Sequence, residues 1–218
     1  MKILSFSDIH GHISNFKKIS DEIKLADIVV LSGDITHFGK EPEVQKILNE
    51  IRKYNKNIIG VTGNCDYPEV QKVLIQEGLS IHSEGRVIDS YFFAGCGYSL
   101  ITPFNTPSEV YENDLEKYIN KAYSNHKDEN SVFVVHQPPY NSKTDILKSG
   151  EASGSKIVRK FIETKKPVLC LTGHIHESPA IEHLDDTVLI NPGGFFEGSY
   201  ASVEIDGKIV INSEIKKI

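Results

Sequence analysis

The chain has 218 residues, 39% of them hydrophobic and 25% charged, an ordinary globular composition with length enough for one substantial core. Its formal net charge is −6 and its Lys and Arg residues are scattered, which leaves no electrostatic footprint for stable nucleic-acid binding or for an anionic membrane surface. Cys65, Cys96 and Cys170 have no paired spacing and read as reduced thiols of a cytoplasmic protein rather than a disulfide framework. The start, MKILSFSDIHGH, turns polar after six residues, too early for the apolar core of a signal peptide. No apolar run approaches the roughly 20 residues of a membrane span.

In chain order, KILSFSD reads as a buried strand, and Phe16, Ile19 and Ile23 follow at helical spacing. DIVVLSGD is a second strand, Val44, Ile47, Leu48 and Ile51 form a second helical stripe, and NIIGVTGN is a third strand. These β-turn-α units favour parallel strands with functional groups at their carboxyl ends. The stretch LSIHSEGRVIDSYFFAGCGYS reads as short strands joined by turns. Thr106-Pro107-Ser108-Glu109 resembles a capping box and predicts a helix start there. SVFVVHQPP is a further strand, Ile157, Phe161 and Ile162 mark a helix, and PVLCLTGHIHES repeats the strand-then-polar pattern. The tail is strand-rich, with Asp206-Gly207 as the expected hairpin turn. No internal repeat or linker interrupts the chain, so residues 1–218 read as one mixed α/β domain.

Five strand ends carry metal-capable side chains: Asp8 with His10, Asp34, Asn64, His136, and His174 with His176. Any one of them alone is an ordinary surface or satisfied polar residue. Together they place carboxylate, amide and imidazole donors at equivalent positions, and adjacent parallel strands bring such ends to one edge. Residues i and i+2 on a tight turn can grip one ion from two directions, as Asp8 and His10 or His174 and His176 would. Asp34 stands alone on its turn and is the natural bridging carboxylate. Nitrogen and oxygen donors without thiolate suit Mn²⁺, Fe or Zn²⁺. So many donors suggest two ions with positions open to water and substrate, rather than one closed structural zinc.

In order, SDIHGH, SGDITHFG, TGNCD, VVHQPP and TGHIHES resemble the motifs of the calcineurin-like metallophosphoesterase superfamily. HQPPYNSKTD, GHIHESP and NPGG further resemble its Icc-related branch. The resemblance implies a four-layer αββα sandwich. It implies that Asp8, His10 and His176 hold one divalent ion, that Asn64, His136 and His174 hold the other, and that Asp34 bridges them. Manganese is the expected metal, and a small phosphate ester, with a diester favoured, is the expected partner. The rival reading is a binding or scaffold protein that keeps the fold and the metals with little activity.

Two such cations would supply hydroxide from a bridging water near neutral pH. Asn64 and His12 would stabilise charge developing on the phosphate, although His12 also reads as an ordinary turn residue. In the family pattern a histidine, oriented by the acid after it, follows Gly-Asn, and here those positions hold Cys65 and Asp66. Cys65 has three readings: a nucleophile, which no Cys-His constellation supports; a metal ligand, redundant beside Asn64; or a small substitute in the histidine's place. A thiol is a poor hydrogen-bond donor and cannot carry imidazolium's charge, so the third reading favours substrates with acidic leaving groups. His37, His82, His126 and His183 lack motif context and read as surface or structural. Cys96 and Cys170 read as packing residues. Tyr140, Lys143 and Asp145 read equally as pocket or loop, and Asn191 with Pro-Gly-Gly as a tight turn near the same edge.

Overall fold

The computed structural model describes residues 1–127 and 130–218. Its elements begin with β1 (Lys2–Phe6), α1 (Ser14–Lys18), α2 (Ser20–Leu25), β2 (Ile28–Ser32), α3 (Glu41–Arg52), β3 (Ile58–Val61) and α4 (Pro68–Gln76). There follow β4 (Gly85–Ile88), β5 (Tyr91–Cys96), β6 (Ser99–Leu100), β7 (Glu109–Val110), α5 (Glu112–Ala122), β8 (Asn130–Val135) and α6 (Lys156–Lys165). The chain closes with β9 (Leu169–Leu171), β10 (Ala180–Leu184), β11 (Thr187–Asn191), β12 (Ser199–Asp206) and β13 (Ile209–Lys217).

Two sheets, ordered β13-β12-β1-β2-β3 and β10-β11-β9-β8-β5-β4, stack face to face. Within the first, β1, β2 and β3 run parallel; within the second, β5, β8, β9 and β11 do. Strands buried on both faces read as continuous apolar runs, which is why KILSF and IVVLS show no polar alternation. Successive residues therefore feed different cores. Ile3, Val30, Val61, Val134 and Leu171 fill the space between the sheets. Leu4, Phe6 and Leu31 face outward onto Phe16, Ile47, Leu48 and Leu74 of α1, α3 and α4. Phe92, Phe133 and Cys170 face the other way, onto Leu115, Ile119 and Phe161 of α5 and α6. Three cores between four layers make the αββα sandwich.

Three local expectations differ from the structure. Phe16, Ile19 and Ile23 are all buried, but the helix breaks at Ile19 (φ −115°, ψ 20°) into α1 and α2. No helix starts at Thr106. The Glu109 carboxylate takes both the backbone N–H (2.9 Å) and the hydroxyl (2.5 Å) of Thr106, and the hydroxyl oxygen accepts from Asn64 Nδ2 (3.1 Å) instead of from a helix N–H. Glu109 and Val110 pair instead with Ser99 and Leu100, and α5 begins at Glu112. In the tail hairpin Asp206 still pairs with Ile209, so the two-residue turn is Gly207-Lys208, with Gly207 at φ +54° as the first central residue of a primed turn needs.

Candidate metal centre

The turns after β1, β2, β3, β8 and β9 leave the parallel strands on one edge and are tied to one another through their backbones. Asp8 N–H donates to Gly33 O (3.0 Å), His10 N–H to Asp34 O (3.1 Å), and Gly173 N–H to His136 O (3.1 Å). Asp8, His10, Asp34 and His174 all hold positive φ, a costly conformation for side-chain-bearing residues that clusters where function fixes geometry. The motif glycines clear the space. A Cβ on Gly63 would overlap Asp34 Oδ1, and one on Gly173 would overlap Ser7 Oγ and lie 2.9 Å from Asp8 Oδ2.

One half of the site gathers Asp8, His10, Asp34 and His176, whose ligand-capable atoms all lie within 4.8 Å of one another. Asp8 is fully buried. Its Oδ2 accepts from Ser7 Oγ (2.5 Å) and His174 N (3.1 Å), which leaves Oδ1 facing His176 Nε2 at 2.8 Å and His10 Nε2 at 4.0 Å. Asp34 Oδ2 lies 3.8 Å from His10 Nε2.

On the other side, the opposite oxygen of Asp34 faces His136, which in turn meets Asn64 and the His174 ring. Asp34 Oδ1 lies 3.5 Å from His136 Nε2 and accepts the Cys65 backbone N–H at 2.8 Å. His136 Nδ1 donates to Ser32 O (2.8 Å), which aims Nε2 at Asn64 Oδ1, 3.1 Å away. The His174 ring packs edgewise on His136 with centroids 5.2 Å apart.

Charge follows from this packing. Burial alone would raise Asp8 and Asp34, but His176 beside Asp8 and His136 beside Asp34 outweigh it and hold both carboxyls below their ordinary range. Burial opposes a charged His136, yet Asp34 pushes its pKa up to about 9. His174, buried and next to charged His136, falls to about 4. Burial, reinforced by Asp34, raises the Cys65 thiol above its ordinary range in the metal-free protein. Among the described residues, every ion-pair partner of Asp8 and Asp34 is an imidazole. Two buried carboxylates facing neutralisable imidazoles and an amide oxygen, with no Lys or Arg between them, are a donor set that fits divalent cations.

The remaining sequence expectations fall into place around this centre. His12 is exposed at the rim, with Nδ1 3.2 Å from His10 O. Cys65 is buried beside Asn64, whose Nδ2 lies 3.5 Å from its sulfur. Cys96 and Cys170 are buried packing residues, and His82 packs at a tilt against Tyr98 and Tyr118. Asp66 does not orient residue 65. Its carboxylate accepts the N–H groups of Ile35, Thr36 and Gly63 and clamps the second motif turn to the third. Asp145 is a loop organiser, accepting from Asn141, Ser142 and Gly154. Asn191 likewise ties Thr144 O to Ile175 O.

Two neighbours escaped the sequence reading. His37, set aside as surface, is exposed, but its Nδ1 lies 3.4 Å from His10 Nδ1; its place three residues beyond Asp34 on the same turn was the available signal. Phe196 sets its ring against His10, His12 and His176, at 5.4, 6.0 and 5.1 Å between centroids. Nothing in local sequence distinguishes it from its buried neighbour Phe195.

A cage of this kind, at the carboxyl edge of an αββα sandwich, is that of a metal-dependent hydrolase. The calcineurin-like phosphoesterase family matches residues 1–178, and the chain belongs to that family: it is a hydrolase acting on phosphate esters. It is 39% identical over 197 residues to the uncharacterised protein MJ1162 of Methanocaldococcus jannaschii, covering 88% of each chain. It is 25% identical over 213 residues to UPF0046 protein K07C11.7 of Caenorhabditis elegans, covering 88% of this chain and 69% of that one. Among solved structures, TT1561 of Thermus thermophilus has a TM-score of 0.78 at 22% identity, covering 99% of this chain and 98% of its own. A dimetal phosphatase from Danio rerio has a TM-score of 0.70 at 10% identity, covering 100% and 98%. These last two are likenesses of fold. Among the described residues, no helix is long and apolar enough to cross a membrane.

Proposed function

We propose that the chain is a dinuclear metallophosphoesterase that favours phosphodiesters and activated aryl phosphates over alkyl monoesters. The observation that carries the two-ion reading is Asp34, whose Oδ2 faces His10 (3.8 Å) while its Oδ1 faces His136 (3.5 Å). Asp8, His10 and His176 would hold one divalent ion, Asn64, His136 and His174 the other, and Asp34 would serve both. This donor set suits Mn²⁺, then Fe or Zn²⁺. When bound, such ions polarise phosphoryl oxygens and lower the pKa of water toward neutrality.

The chain's own residues do the rest. The Ser32 carbonyl fixes the His136 tautomer, so that Nε2 presents a lone pair to the site once it is deprotonated. His12, exposed at the rim, is the donor available to a bound phosphate. Cys65 supports the diester preference: a thiol is a weak donor and cannot become cationic beside a departing alkoxide. A leaving group that needs no proton is then favoured.

The test loads the protein with Mn²⁺ and compares bis(p-nitrophenyl) phosphate, p-nitrophenyl phosphate and an alkyl monoester. Two ions per chain with turnover falling in that order support the proposal. Absence of turnover on all three, with Mn²⁺, Fe²⁺ and Zn²⁺ each bound at two per chain, would make the protein a binding module on an enzyme fold.

A further inference from the structure

Within the motifs the Asn64 amide meets His136 Nε2 (3.1 Å), itself a candidate ligand, and the Cys65 sulfur (3.5 Å), a weak acceptor. The amide oxygen and nitrogen are nearly isosteric, and only the oxygen can bind a cation. We propose that Thr106, itself held by Glu109, is the positioning residue that turns Asn64 Oδ1 toward the ion beside His136. The proposal rests on the two-ion reading above.

The direction of each hydrogen bond follows from what each group can donate. The Glu109 carboxylate is a pure acceptor, and Thr106 Oγ1 lies 2.5 Å from its Oε1, so the threonine proton goes there. Thr106 Oγ1 then has only lone pairs to offer Asn64. The Asn64 atom 3.1 Å away must therefore be the NH₂ group. The oxygen is left on the other side, 3.1 Å from His136 Nε2. A reversed amide would set an oxygen against an oxygen at Thr106 and present N–H groups to a cation.

The relay has little slack. Glu109 Oε1 also accepts the Thr106 backbone N–H (2.9 Å) and the Thr102 hydroxyl (2.6 Å). The same segment is laced to the third motif turn: Ser108 N–H donates to Asn64 O (3.1 Å) and Ser108 Oγ to Asp66 O (2.6 Å). Thr106 and Glu109 belong to none of the five motifs. They lie between β5 and α5, where Glu109 has been drawn out of a helix start to make these contacts.

The test titrates the full chain, stripped with chelator, with Mn²⁺ by calorimetry and reads two dissociation constants. Groups that orient a ligand are typically worth roughly 10–100-fold in metal affinity. Thr106→Val, which keeps shape and removes the acceptor, is expected to weaken one of the two sites by that factor and leave the other unchanged. Thr106→Ser is expected to restore it to within a few-fold. Thr106→Val binding both ions like the wild type would overturn the proposal, and so would equal weakening of both sites or failure of Thr106→Ser to rescue. Wild-type protein that takes up a single ion would overturn the two-ion reading itself, and the relay with it. That failure appears in the wild type and is therefore distinct from one seen only in the variants.

Discussion

The two halves of the candidate site are held in different ways. Around Asp8, His10 and His176 the turns after β1 and β9 orient their own side chains: Ser7 and the His174 N–H fix one oxygen of Asp8 and thereby aim the other. Around Asn64 and His136 the orienting groups come from elsewhere. A β2 carbonyl sets His136, and a threonine 42 residues downstream sets Asn64. The first half is self-contained within its motifs; in the second, Ser32 still belongs to a motif, and Thr106, which sets Asn64, lies outside all five. Asp34 joins them, with one oxygen turned to each.

The largest expected effect comes from removing that joint. Asp34→Ala is expected to lower kcat/KM on an aryl diester on the order of 10³-fold or more, about 4 kcal/mol, with metal content reduced in both halves. Loss of one ion alone would show that the halves are independent.

Next is a pH dependence that belongs mainly to the second half. His136 titrates near 9 in the folded, metal-free protein against an ordinary 6.5. Its contribution is complete below pH 6.5 and is lost as pH rises through 9, with His176 shifted in the same direction. Denaturant melts of metal-free protein should therefore lose up to about 3 kcal/mol between pH 6.5 and 9. His136→Gln should remove the larger part of that slope, and an unchanged slope would contradict the assignment.

Gly173→Ala distinguishes the halves by sterics. Its Cβ presses on Ser7 and Asp8, so we expect a stability loss of about 1–3 kcal/mol and, in a Mn²⁺ titration, a greater weakening of the ion beside Asp8 than of the ion beside His136. Smallest in overall rate is Cys65→His, expected to flatten the dependence of turnover on leaving-group acidity and to leave aryl diesters nearly unaffected. An unaltered slope in folded, metal-loaded variant would remove Cys65 from the account of substrate preference.

The same contrast explains what the sequence made legible. Strand ends are visible because doubly buried strands are continuous apolar runs, and a polar residue directly after one marks the sheet edge. Asp8, His10, Asp34, Asn64, His136, His174 and His176 could all be found that way. The orienting groups are set by packing across layers and leave no local mark. Thr106 and Glu109 carry the pattern of a helix cap, and one of its two reciprocal bonds does form. In place of the second, which would run from the Glu109 N–H to the threonine oxygen, the Thr106 hydroxyl donates to the same carboxylate and its oxygen accepts from Asn64. Asp66 reads as a partner for residue 65, yet its carboxylate finds three backbone N–H groups that only the folded turns bring together. Phe196 acquires meaning from three histidine rings drawn from two distant turns.

The central claim is that phosphate-ester hydrolysis needs both halves filled, with Asp34 common to the two. The most direct test is to add Mn²⁺ stepwise to chelator-stripped protein while recording bound metal and bis(p-nitrophenyl) phosphate turnover on the same samples. The account predicts little turnover up to one ion per chain and a rise that tracks the second. Full turnover at one ion per chain would contradict it.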